Sequence, residues 1–287
     1  MGYMHIENLY KCQELLMFKE CYALEKIHGT SAHITYKIQD GKPMLSFFSG
    51  GVDHVNFVAL FDKNTLMEKM KGIDRVEIYG EAYGGKCLGM SATYGKALKF
   101  VVFDVKINDC WLAVPQAEEF AKDLGLEFVA YEKISTDLDE IDKERDRDSV
   151  QAVRNGMGEG HQREGVVLRP LIELRKNNDD RIISKHKRDE FKETRTKREV
   201  SPEQLKILDD AKAIAEEWVT PMRLAHVFDK IENPCMEKMR EIIAAMCEDV
   251  QREAEGEIVW DRAVSKAVGK ATALATKKYF QDKLRKE

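Results

Sequence analysis

Glu25-Lys26-Ile27-His28-Gly29-Thr30 joins an apolar, strand-like run, Cys21 to Leu24, to an alternating run, His33 to Ile38. Two strand patterns that meet at Lys-x-His-Gly hold an amine at the mouth of a sheet, with a glycine where backbone or ligand can come close. A lysine so presented suits covalent nucleophilic catalysis. Its unperturbed pKa of about 10.4 makes the amine a poor nucleophile, so the site calls for neighbouring cations or desolvation. Taken alone the hexapeptide also reads as a solvated turn, and the rest of the chain decides between the two.

Composition bounds the answer. A length of 287 residues with 43% hydrophobic content suits about two globular domains with a real core. The net charge of −5 argues against a nucleic-acid coat over the whole surface, so a polyanion site is a local patch. The six cysteines, at 12, 21, 87, 110, 235 and 247, have no C-x-x-C spacing and read as reduced thiols. No basic-then-apolar leader opens the chain, and no window approaches the ~18 apolar residues of a membrane span. The expectation is a cytoplasmic protein with no membrane contact.

Outward from the lysine, residues 7–19 read as a short amphipathic helix, with Leu9, Cys12, Leu15 and Leu16 at helical spacing. Asp40-Gly41 marks a hairpin between His33 to Ile38 and Met44 to Phe48. Ser49-Gly50-Gly51 follows, a loop or a backbone cradle for phosphate, and Val52 to Gly72 reads as one or two helices. Arg75 to Tyr83 is a strand that ends in glycines. Gly80, Gly85 and Lys86 mimic a P-loop, but Cys87 stands where a magnesium-binding hydroxyl belongs and no helix pattern follows. Glu81 is the better candidate there, a carboxylate for a ribose or a metal, or else a solvated edge charge.

Lys99 to Ile107 is a near-continuous apolar strand broken by Asp104, whose charge needs a partner or a ligand if buried. Phe103 beside it is core or a stacking surface for a base. Pro115 to Gly125 reads as a helix, and the acidic run Asp137 to Asp142 as a solvated helix face, since a calcium loop lacks its glycine there. Residues 155–160 read as a flexible linker. Glu164 then heads the apolar strand Gly165 to Pro170, and a further strand, Arg181 to His186, runs into Lys187. Lys185 and Lys187 share one face of it, suited to polyphosphate or to a solvated edge. From Arg181 to Arg198 eight Lys or Arg face three acids, a local net of +5 that reads as a footprint for a polyanion.

Lys26-Ile27-His28-Gly29, Ile78-Tyr79-Gly80-Glu81, Phe103-Asp104-Val105, Glu164-Gly165-Val166-Val167-Leu168-Arg169-Pro170 and Lys185-His186-Lys187 occur in the order and spacing of covalent nucleotidyltransferases. With histidine after the lysine, the chain resembles the RNA ligase 2 family over about residues 20–192. The resemblance implies an α+β fold, an ATP-grasp-like ligase domain of antiparallel sheets with flanking helices. It implies an enzyme that uses ATP with Mg²⁺ or Mn²⁺ to join RNA ends, whether at a nicked duplex or a broken tRNA, with no obligate protein partner. Lys26 would attack the α-phosphorus of ATP, and AMP would pass to a 5′-phosphate before a 3′-hydroxyl displaces it. Glu25 and Phe103 would frame the adenine, with Ile27, Gly29 and Asp104 in the same nucleotide-binding motifs. Glu81 would hold the ribose, Glu164 would bind the metal, and Lys185, Lys187 and Arg169 would neutralise phosphates. His28 would lie near the leaving pyrophosphate. The family usually carries an arginine shortly after the lysine motif, whereas the first arginine here is Arg75. Lys42 substitutes for it, or Phe47 to Gly51 binds the substrate end differently.

From Ser201-Pro202-Glu203 the pattern turns helical almost to the end, with Pro221 and Pro234 dividing about four helices. The expected domains are therefore 1–199, a nucleotidyltransferase, and 200–287, all helical, with none of the five strands of an OB-fold. Its end, Lys266 to Glu287, holds seven Lys or Arg against two acids, a face for a nucleic-acid backbone or a solvated helix. A DNA nick ligase of the same superfamily shares every motif. A catalytically silent nucleic-acid-binding protein is the reading from a different class.

Overall fold

The computed structural model describes residues 2–176, 178–191, 202–255 and 257–284. They fall into two compact units, Met1–Leu15 with Lys19–Arg198, and Leu16–Phe18 with Glu199–Glu287. The first unit runs β1 (Glu20–Lys26), β2 (Thr30–Gln39), β3 (Lys42–Phe48), α1 (His54–Val58), α2 (Lys63–Lys69), β4 (Arg75–Gly84), α3 (Ser91–Tyr94), β5 (Leu98–Ile107), β6 (Cys110–Trp111), α4 (Val114–Asp123), β7 (Tyr131–Ser135), α5 (Leu138–Arg145), α6 (Val150–Arg154), β8 (Gly165–Pro170) and β9 (Ser184–Lys187). The strands pair antiparallel in two sheets, one in the order β7-β1-β8-β9 and the other β3-β2-β4-β5-β6.

Local chemistry explains the elements. Asp40 and Gly41, at φ 51° and 72°, form the left-handed pair that a two-residue hairpin turn demands. Asp62 caps α2 by accepting from the amides of Asn64 and Thr65, and Pro115 sits in the first turn of α4. Alternation then decides which face of each strand is buried. Ala32, Ile34 and Tyr36 of β2 and Val76 and Ile78 of β4 point into a core closed by Phe57 of α1, Leu66 of α2 and Ala117 and Ala121 of α4. The opposite face of this sheet turns toward the four-stranded sheet, and the cleft lies between them. The pairing of β4 with β5 shifts by one between Tyr79 and Gly80: Tyr79 faces Asp104, Gly80 faces Val102, and Phe103 is the extra residue. Phe103 and Val101, two residues apart, both face the cavity, and the bulge brings Asp104 round to that side as well.

The two sheets are joined by buried charge. Asp104 of β5 is fully buried and accepts from Arg169 of β8 at 2.9 Å, from Arg181 at 2.5 Å and from the hydroxyl of Tyr3 at 2.6 Å. Glu173 pairs with both guanidiniums. Burial opposes a charge on Asp104, but Arg169 and Arg181 outweigh it and hold the carboxyl below the usual carboxylate range.

Three sequence expectations change. Residues 7–19 hold only a 3-10 turn at Gln13–Met17, because Asn8 instead bridges the open edge of β9, with Leu9 donating to the Lys185 carbonyl and Lys185 to that of Glu7, both at 2.9 Å. Residues 155–160 link no domains. They form a loop inside the first unit, where Asn155 donates to the Tyr94 carbonyl and the Gly160 amide to Asp148. Arg181 lies outside β9, drawn away to its acidic partners. Residues 192–201, with much of the basic stretch and the expected cap at Ser201, lie outside the described residues.

In the second unit α7 (Pro202–Trp218), α8 (Pro221–Asp229), α9 (Met239–Glu253) and α10 (Arg262–Leu284) form a helical array with no strand among the described residues. Leu224, Val227, Ile242, Met246, Val264 and Val268 supply its core. Asp249 holds Arg223, Lys230 and Arg252 at 2.6–2.7 Å. No described helix in either unit is long and apolar enough to cross a membrane.

Removing the shared counter-charge leaves two guanidiniums buried beside one carboxylate. Asp104→Ala is expected to cost about 3–5 kcal/mol of stability, read as a lower urea midpoint.

Candidate active site

Lys26, the last residue of β1, pairs in register with Gly165 of β8, and Gly165 pairs with Lys187 of β9. Facing residues on antiparallel neighbours share a side of the sheet, so two lysines flank a position with no side chain. Gly165 is required there, since a Cβ would stand 2.2 Å from the His186 carbonyl oxygen. Glu164 reaches over from the preceding position. Its Oε2 lies 2.8 Å from Lys26 Nζ and 3.1 Å from His28 Nδ1, and its Oε1 lies 2.8 Å from Lys187 Nζ. Burial raises the cost of its charge, but Lys26 and Lys187 prevail and hold the Glu164 carboxyl below its usual range.

Beside this cluster lies a cavity of about 380 Å³, walled by Leu24, Lys26 and Ile27 on one side and by Glu81, Val101 and Phe103 on the other. Val167 from β8 and Phe103 from β5 bring an aliphatic and an aromatic surface to it from the two sheets, and Lys185 stands at its border. Gly29 lets β4 approach, because a Cβ there would meet the Ala82 carbonyl oxygen at 2.4 Å. Its amide donates to Glu81, yet burial dominates and pushes the Glu81 carboxyl up to about 7.

Seven of the expected residues line the cavity, Glu25, Lys26, Ile27, Glu81, Phe103, Arg169 and Lys185, joined by Ser31, which was not expected. Glu164, Lys187 and His28 form the charged cluster at Lys26. Two residues take other roles. The five N–H donors of Arg169 go to Asp104, Glu173 and the carbonyls of Phe103 and Leu112. Asp104 is likewise engaged by Arg169, Arg181 and the Tyr3 hydroxyl. Glu25 borders the cavity with its carboxylate taken by the Ser149 hydroxyl at 2.5 Å and the Gln151 amide at 3.2 Å. His186 points away from the paired lysines, as alternation requires, to Asp142 at 2.6 Å.

Sequence reasoning missed the segment from Tyr3 to Ile6, which lines the cavity with Tyr3 edge-on to Phe103 at 4.9 Å. No periodicity marks that segment. It also missed Val167, hidden in a plain apolar strand, and Ser149 and Gln151, which act at long range in sequence.

A sheet pair with a lysine at the mouth of such a cavity defines a nucleotidyltransferase-like arrangement. The sequence model described as RNA ligase matches residues 19–187, more than half of the chain, and the chain belongs to the RNA ligase family. No curated protein matches it in sequence. Among solved structures it is similar in fold to a Naegleria gruberi RNA ligase variant with ATP and Mn, at 15% identity and TM-score 0.50, over 67% of this chain and 56% of that one. A second variant of that ligase, with AMP and Mn, matches at 14% identity and TM-score 0.50, over 67% and 57%. The chain thus spans little more than half the length of these relatives.

Because folding raises the Glu81 pKa from 4.5 to about 7, the group favours the folded state most below pH 4.5 and that advantage fades as pH rises through 7. Glu81→Gln is expected to match wild type in stability near pH 4.5 and to exceed it by on the order of 1–2 kcal/mol at pH 8, read from urea melts at both pH values.

Proposed function

We propose that the chain is an ATP-dependent RNA ligase that joins 3′-hydroxyl and 5′-phosphate ends through an AMP carried on Lys26. The observation that carries this reading is the Lys26 amine, held by Glu164 at 2.8 Å at the edge of a cavity with one aromatic and one aliphatic wall. Lys26 Nζ attacks the α-phosphorus of ATP; the N–P bond forms, the bond to the bridging oxygen breaks, and pyrophosphate leaves. A 5′-phosphate oxygen then takes the AMP, freeing Lys26, and a 3′-hydroxyl attacks that phosphate to expel AMP. Attack needs the free amine, and Glu164 Oε2 is the oxygen within reach of the proton Nζ must lose.

Position supports the reading of the remaining roles. Phe103 and Val167 hold the base between them, Glu81 takes a ribose hydroxyl, and Lys185 and Lys187 carry the phosphates, with His28 near the departing pyrophosphate. The donor set fits a divalent ion held by carboxylate oxygens, since Glu164 and Glu81 are close enough to interact. One or two carboxylates plus substrate phosphates is the coordination Mg²⁺ favours, and Mn²⁺ accepts similar oxygen ligands. Held there by Glu164, the ion would supply charge neutralisation of the phosphates. The ATP, AMP and Mn of the similar Naegleria gruberi structures support the same substrate and ion.

Incubation with α-labelled ATP and Mg²⁺, followed by a denaturing gel, tests the reading. Wild type is expected to retain label and Lys26→Ala to lose it, with nicked RNA then sealed in preference to nicked DNA. If wild-type protein freed of bound AMP takes no label, the ligase reading fails and a nucleic-acid-binding protein takes its place. Preference for DNA ends would make it a DNA nick ligase.

A further inference from the structure

A row of rings crosses the cleft face of the five-stranded sheet beyond the nucleotide cavity. Phe48 of β3 pairs with His33 of β2, and His33 with Tyr79 of β4, so all three stand on one face. Their centroids lie 5.0 and 5.4 Å apart, and Tyr79 continues to Trp111 at 5.5 Å. Tyr3 covers the far end of the row, against Tyr79 and Trp111. The near end is open: Phe48 is 48% exposed and Met44, on the same face, 46%.

Three observations point to a ligand at that open end. His33 lies buried against Phe48 at an interplanar angle of 23°, and its Nδ1 is buried with no hydrogen-bond partner. A buried polar atom left unmade is costly and uncommon, and an incoming polar group relieves it. The row is also continuous with the cavity, since Ser31 and Glu81 pair in the next register step and both line it. Ser31 precedes His33 by two residues, roughly 7 Å along the strand. Finally, Lys37 and Lys42 lie on the same face and have no carboxylate partner among the described residues, while Glu77, the acid of this face nearest to them in register, is buried and paired with Arg75 and Lys106. No arginine occurs on β2 or β3, so no guanidinium fork is present there to grip a phosphate.

We propose that Phe48, backed by His33, stacks a terminal base of the RNA strand entering the cleft, with Lys37 and Lys42 facing its backbone. This rests on the ligase reading for its substrate class and adds where and how a strand end is recognised. Every base has a π-face, so such a platform tolerates any sequence, and its loss weakens binding by about tenfold.

The test is fluorescence anisotropy on the full chain without ATP. The probe is an internally labelled single-stranded RNA of about ten nucleotides, used intact and with an abasic residue at its 3′ or its 5′ terminus. Phe48→Ala and Phe48→Leu are expected to bind the intact RNA about tenfold more weakly than wild type, and Phe48→Trp at least as tightly. The Ala penalty should vanish on one of the two abasic RNAs, which identifies the stacked end. The proposal is overturned if the Ala and Leu variants bind like wild type, if the penalty persists on both abasic RNAs, or if wild type binds none of them. It is also overturned if Phe48→Ala changes the oligomeric state by light scattering while RNA binding stays the same, because the patch is then a protein interface. Label transfer from ATP to Lys26 is a separate readout, so failure here leaves the adenylation reading intact.

Discussion

The cleft exists because one buried carboxylate serves two sheets. Asp104 from the five-stranded sheet takes Arg169 from the four-stranded sheet and Arg181 from the loop that follows it, and Glu173 closes the network from the other side. Two acids against two guanidiniums leave the cluster balanced, and the Tyr3 hydroxyl uses a further lone pair. Such a network gains geometric definition more than net stability, because the desolvation of each ion offsets most of its attraction. What it defines is the spacing between β5 and β8, and hence the distance between Phe103 and Val167 across the cavity.

A second buried carboxylate organises the chemistry. Glu164 gathers two lysines from β1 and β9 and a histidine from the turn after β1, and it does so over a glycine whose missing side chain leaves the room. The two clusters contrast in purpose. Around Asp104 every donor is matched and the core is closed, whereas around Glu164 cations outnumber the acid at the edge of a cavity, a surplus suited to the negative charge of a triphosphate.

Much of this was legible because strand residues carry their geometry in their spacing. The turn at Asp40-Gly41, the strand positions of Lys26 and Glu81, and the shared face of Lys185 and Lys187 all follow from period-two alternation and turn chemistry. The misses share a cause as well. Arg169 reads as a phosphate ligand in a motif, but whether a guanidinium faces a ligand or a buried acid depends on a partner 65 residues away. Asp104 shares the cleft face of β5 with Val101 and Phe103 only through a bulge, which no local pattern announces. Residues 7–19 have helical spacing, yet the open edge of β9 recruits their backbone, a tertiary demand that outweighs weak local propensity. The aromatic row is equally non-local, since Phe48, His33, Tyr79 and Trp111 meet only once four strands are in register.

The central claim is that the nucleophile is Lys26 and no other amine in the cleft. Lys185 and Lys187 lie near enough to serve as controls within the same molecule. Tandem mass spectrometry of peptides from wild-type protein incubated with ATP and Mg²⁺ measures this directly. The account predicts AMP on the peptide that contains Lys26, attached at that residue. AMP attached at Lys185 or Lys187, or no adduct on any lysine, contradicts it.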